Sequence, residues 1–146
     1  MNKGKFDLHE SLGFVVNTTS RALNNTLARA FAKSGHDITV EQWEILVVLW
    51  KRDGQCQHEL ATFCAKDRPS VTRILDNMEK RELVSRVSSE KDRRNKHVYL
   101  TKKGKDIQDQ LMKIANQFGK MTTKGMDEKE VEAGKNFLKV LQANLG

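Results

Sequence analysis

Residues 68–101 read RPSVTRILDNMEKRELVSRVSSEKDRRNKHVYLT, and two periodicities meet inside that stretch. Val71, Ile74, Leu75 and Met78 recur at helical spacing and share one side of a helical wheel. Pro69, Ser70, Arg73, Asp76, Asn77 and Lys80 fall on the opposite side, with Thr72 on its flank. Pro69, preceded by Asp67 and Arg68, suits the first turn of such a helix, where its missing N–H has no intrahelical partner to lose. After Leu83 the period drops to two: VSRVS, then the charged run EKDRRNK, then HVYL with Val98 and Leu100 on one side and His97 and Tyr99 on the other. The spacing predicts a helix followed by a β-hairpin whose tip packs four cations and two acids into seven positions, Glu90 to Lys96.

Working outward, the rest of the chain reads as helix. It has 146 residues and a single proline, and its glycines fall mostly between periodic segments. From about Asp7 to Lys33, inward positions at spacings of three or four (Leu8, Leu12, Val16, Thr19, Leu23, Leu27, Phe31) predict one long amphipathic helix closed by Gly35. Thr39 with Gln42 forms a capping signature for a second helix, whose expected inner face is Trp43, Leu46, Val47 and Trp50. A short third helix, about Gln57 to Ala65, is expected to turn Leu60, Phe63 and Cys64 inward. Beyond the hairpin, Thr101 caps a fifth helix with a heptad rhythm through Ile107, Leu111, Ile114, Phe118 and Met121. Asp127 with Glu130 opens a sixth, in which Val131, Leu138, Leu141 and Leu145 continue the rhythm. The expected fold class is mainly α with one small β-hairpin.

Charge gives these elements a target. The net charge is +7, and all of it resides in residues 66–105, which hold thirteen Lys/Arg against six Asp/Glu. The flanks are balanced, seven against seven in residues 1–65 and six against six in 106–146. A basic centre of that kind suits a polyanion, because each cation near a phosphate releases condensed counterions. Helix, short helix, turn, helix and basic hairpin are, in that order, the parts of a winged helix-turn-helix. The outer face of the fourth helix offers Ser70, Thr72, Arg73 and Asn77 to a major groove, where Arg reads guanine and Asn reads adenine. Arg93, Arg94 and Lys96 at the hairpin tip fit the adjacent minor groove, and Asp92 would aim a neighbouring arginine by a charge-assisted hydrogen bond.

The same residues carry a family resemblance. D-x-R-x-x-x-V-x-L-T (Asp92, Arg94, Val98, Leu100, Thr101) and PSVTRILD followed by LVSR (Pro69 to Asp76, then Leu83 to Arg86) resemble the MarR family of bacterial transcription factors. The resemblance implies a six-helix winged helix-turn-helix that forms a homodimer and binds double-stranded DNA at pseudo-palindromic operators, usually as a repressor. It implies a single domain over 1–146, with a DNA-binding lobe at 35–103 and dimerisation helices at 6–34 and 104–146. Arg68, Pro69 and Arg86 join the DNA-binding set on this basis. One departure is Glu82, where the family commonly has glycine, which puts the wing's angle in question.

Members of that family often release DNA when a phenolic or other small molecule enters the cleft between dimer helices and DNA lobe. Trp43 with Leu12 and Val16 is the ligand-lining candidate, although a tryptophan on an apolar helix face is more often plain core. No cofactor, metal site or catalytic constellation is expected: four scattered histidines and the pair Cys56 and His58 fall short of a ligand set. The longest apolar run, Ile45 to Trp50, is far below the roughly 20 residues of a membrane helix, so the expectation is a soluble, cytoplasmic protein with reduced thiols. Two other readings stay open: a winged-helix module that meets an acidic protein partner, and a nonspecific nucleoid binder. Base preference separates both from an operator-specific regulator.

Overall fold

The computed structural model describes residues 4–91 and 94–146, so Asp92 and Arg93 lie outside the described residues. Among the described residues there are seven α-helices, one more than expected, and a three-stranded antiparallel sheet in place of a two-stranded hairpin.

The expected first helix comes in two pieces, a single 3-10 turn at Leu8–Glu10 and then α1 (Leu12–Lys33). Ser11 divides them because it adopts extended backbone, and its hydroxyl accepts from Phe14 N at 3.3 Å while donating to Leu8 O at 2.7 Å. That hydroxyl satisfies one of the donors that any helix start leaves open. Gly35, at φ +86°, closes α1 as expected. Thr39 and Gln42 form a complete capping box for α2 (Val40–Lys51). Its deepest residues are Gln42, Ile45, Leu46 and Leu49. Trp43 and Trp50 are only half-buried, so the inner face is rotated from the one expected.

After Gly54 the chain forms β1 (Gln55–Cys56) and runs into α3 (Gln57–Phe63). Leu60 and Ala61 are buried, but Phe63 is 72% exposed, which corrects its expected inward placement. A seven-residue helix presents a narrow inner face, and here Leu60 and Ala61 fill it. Then come α4 (Arg68–Lys80), β2 (Val84–Ser88) and β3 (Lys96–Leu100). The strand order is β1-β3-β2, with Arg86 opposite Val98 and Gln55 also opposite Val98 on the other edge. The expected fifth helix bends at Ile107 into α5 (Lys102–Asp106) and α6 (Gln108–Thr122). Asp127 and Glu130 cap α7 (Glu128–Asn144), which has no buried residue of its own.

One core joins these elements: Phe31 from α1, Ile45, Leu46 and Leu49 from α2, Leu60 from α3, Ile74, Leu75 and Met78 from α4, Val98 from β3 and Leu111 from α6. Four hydrogen bonds fix the hairpin root on this core. Thr101 donates its hydroxyl to Glu82 O at 2.6 Å and its N–H to Leu83 O at 3.1 Å. Trp50 Nε1 donates to Gly104 O at 2.8 Å. Asp53 Oδ1 accepts from Leu100 N at 2.9 Å.

Candidate nucleic-acid interface

Helix α4 is built to show one face. Asp67 caps it, with Oδ1 accepting from Ser70 N at 2.8 Å, and that backbone bond holds the carboxyl below the usual carboxylate range. Val71, Ile74, Leu75 and Met78 anchor the inner side. Pro69, Thr72, Arg73, Asp76, Asn77 and Lys80 are left exposed, with Ser70 half-buried. The helix ends in a left-handed turn: Glu82 has φ +61°, and Leu83 N donates back to Met78 O at 3.0 Å. That turn aims the chain straight into β2.

The start of α3, the start of α4 and the hairpin meet around one cavity of about 400 Å³, lined by Gln57, His58, Arg68, Val71, Thr72, Arg94 and Asn95. Gln57 Nε2 reaches Thr72 Oγ1 at 3.4 Å, and Arg68 Nη2 lies 3.3 Å from His58 Nδ1. Arg68 and Arg94 thus bring cations to one concave surface from two elements, an arrangement that suits a phosphate-bearing strand. Gln57, His58 and Asn95 were not among the residues expected from sequence. Their signal was present, since Gln57 and His58 open the helix just before the turn.

Arg86 stands elsewhere than expected. Its side chain is only 11% exposed, and its guanidinium Nη2 lies 2.5 Å from Asp76 Oδ1 and 3.3 Å from Glu79 Oε1. Burial works against its charge, but the bonds to Glu79 and Asp76 outweigh it and leave the pKa raised. Glu79 is correspondingly held low, first by the Arg86 guanidinium and also by the charge of nearby Lys96. Lys96 itself is exposed at the start of β3. Arg86, expected in the DNA-binding set, is thus drawn back against α4 by its ion pairs.

The ligand-lining candidates do not converge within the described chain. Trp43 packs against Phe31 and Trp50, with ring centroids 5.4 and 5.7 Å away. Leu12 borders a different groove, with Phe137, Val140 and Leu141 of α7, and Val16 is half-buried on α1. Cys56 is buried and Cys64 half-buried, with burial pushing the Cys64 thiol up. Among the described residues no group of His, Cys, Asp and Glu could hold a metal ion. No described helix is long and apolar enough to cross a membrane.

The MarR family model matches residues 38–96, the segment from the start of α2 to the start of β3. The crystal structure of transcriptional regulator PA3341 is 32% identical, with a TM-score of 0.74 over 92% of this chain and 98% of that one. The chain belongs to the MarR family. Another relative is the HTH-type transcriptional regulator TtmR of Methylorubrum extorquens (strain PA1), 26% identical over 122 residues. The match spans 84% of this MarR chain and 62% of TtmR, so the chain covers about three-fifths of that relative's length. The Staphylococcus aureus MepR–DNA complex, 23% identical with a TM-score of 0.82 over 93% of this chain and 98% of that one, shares the MarR fold.

Proposed function

We propose that this MarR-family transcriptional regulator binds a pseudo-palindromic operator as a homodimer and acts as a repressor. The observation that carries the reading is the shared cavity at which Arg68 and Thr72 of α4, His58 of α3 and Arg94 of the hairpin meet. A helix lying in a major groove and a hairpin reaching the adjacent minor groove must face one duplex together, and a common concave surface is what that requires. Ser70, Thr72, Arg73 and Asn77 take the recognition role beside Arg68 and Pro69, with Arg94 and Lys96 at the adjacent minor groove. Asp92 and Arg93 keep their expected roles at the tip. Residues 35–103 form the DNA lobe, and 6–34 with 104–146 form the dimer arms. In this reading, a small phenolic-type molecule that enters between arms and lobe releases DNA by changing the separation of the two recognition helices.

The test begins with a duplex selected from a random library by the wild-type protein. Arg73→Ala is expected to weaken binding to it by about 1–3 kcal/mol and to relax preference at one base position. Wild-type affinity should fall steeply with salt, with a slope of about −0.9 per phosphate neutralised. If selection enriches no sequence, or if Arg73→Ala leaves both affinity and preference intact, the operator reading fails. Repression itself is read from a reporter fused to the selected site.

A further inference from the structure

We infer that Arg86 is a positioning residue: held by Asp76 and Glu79, it locks the wing to the recognition helix so that both enter DNA as one rigid unit. The inference rests on the operator reading above. Three contacts cross from α4 to β2, the first strand of the wing. Arg86 Nη2 bridges Asp76 Oδ1 at 2.5 Å and Glu79 Oε1 at 3.3 Å, and the Arg86 backbone N–H donates to Glu79 Oε2 at 3.2 Å. Glu79 therefore grips both the main chain and the side chain of one strand residue. Arg86 also sits opposite Val98 of β3, so whatever fixes it fixes both strands of the wing.

The charges give the reason. Asp76 lies on the outer face of α4, three residues after Arg73 and beside Asn77, where a bare carboxylate would repel phosphates. Two half-exposed acids there offset the charges of both Arg86 and nearby Lys96. For a polyanion-binding surface that forfeits two cations, unless the acids serve something else. Arg86 is that something: Nη2 reaches both carboxylates, and the planar guanidinium fixes the directions of its N–H groups, which a freely rotating lysine ammonium does not. Among the described residues its buried Nε–H has no partner.

Asp76→Asn, Glu79→Gln and Arg86→Met are compared on the selected duplex and on a random duplex of equal length, with thermal unfolding and dimer mass as controls. Removing an acid favours any polyanion electrostatically, so positioning and charge predict opposite signs. Positioning requires that Asp76→Asn and Glu79→Gln each lose about tenfold on the selected duplex, as one mis-set base pair would, while random-duplex affinity holds or rises. It also requires that the triple variant be no weaker than Arg86→Met alone. Tighter binding of the acid variants to both duplexes would leave only an electrostatic role and overturn the inference. So would additive losses accompanied by a salt slope lowered by about one ion, the signature of a direct phosphate contact by Arg86. Should Arg86→Met not fold, the cycle is run with Arg86→Lys under the same criteria. A wild-type protein without preference for its selected duplex would count against the operator reading, whereas wild-type preference that survives all three variants removes only the Arg86 assignment.

Discussion

Glu82 holds the turn from recognition helix to wing in a conformation that suits glycine. At φ +61° its side chain meets the left-handed penalty, roughly 1–2 kcal/mol for a residue with a Cβ. Its carbonyl is tied to the Thr101 hydroxyl at 2.6 Å, so the strain cannot relax without loosening the hairpin root. Glycine at this position removes the penalty but adds freedom to the unfolded chain, an offset of about 0.5–1 kcal/mol. Glu82→Gly is therefore expected to stabilise by about 0.5–1 kcal/mol, seen as a Tm rise of a few degrees at fixed protein concentration. Glu79 makes a second prediction at this scale. Its folded pKa is held below the ordinary 4.5 by the Arg86 guanidinium, so its contribution is fully present above 4.5 and is lost as pH falls through the folded value. In urea titrations across that acid window, Glu79→Gln should show a shallower loss of stability than wild type, with the two curves parallel near neutrality.

At the scale of elements, α5 docks on the hairpin root through a missing side chain. A Cβ on Gly104 would lie 2.3 Å from Leu83 O and 3.2 Å from Leu100 Cδ2, and the Gly104 carbonyl accepts the Trp50 indole N–H at 2.8 Å. Gly104→Ala must push α5 off Leu83 and β3, an overpacking cost of about 1–3 kcal/mol measurable by chemical denaturation. The sequence shows Gly104 and Thr101 but not this contact, because nothing local says which carbonyl will come close. Capping boxes at Thr39 and Asp127 and the four-residue inner face of α4 were legible, since each is a short-range pattern with one physical solution. β1 was not, because two residues carry no period and Gln55 and Cys56 become strand only by pairing with Val98 and His97. The bend at Ile107 hides within an unbroken heptad. Phe63 misled because apolar spacing marks a face without saying how much of it a seven-residue helix can bury. At the site, Arg73 and Asn77 are exposed where the wheel put them, while the ion pairs of Arg86 were not legible, because two acids about two and three turns into a neighbouring helix are invisible from its own strand.

For the whole molecule, what matters is the apolar surface that one chain leaves uncovered. Phe137 and Val140 of α7 and Leu145 just beyond it are 55%, 61% and 80% exposed, and Leu12, Val15 and Leu23 of α1 are exposed as well. A helix of seventeen residues with no buried position cannot hold its place by its own packing. The arms are also charge-balanced, six against six in residues 106–146, so they bring little repulsion to a self-association. A second copy that covers them by two-fold symmetry would place the two α4 helices about 34 Å apart, one turn of DNA, and tie operator binding to assembly. Light scattering should then give twice 16.7 kDa, and the Tm should rise with protein concentration. Leu138→Asp puts a charge into the same stripe while sparing the core of the DNA lobe, so it should shift the mass toward one subunit and abolish selected-duplex binding. Weak random-duplex binding should persist, because the basic surface belongs to each lobe. A wild-type chain that stays at 16.7 kDa at high concentration, or a monomeric Leu138→Asp variant that still protects both half-sites of a selected duplex, would separate DNA recognition from pairing.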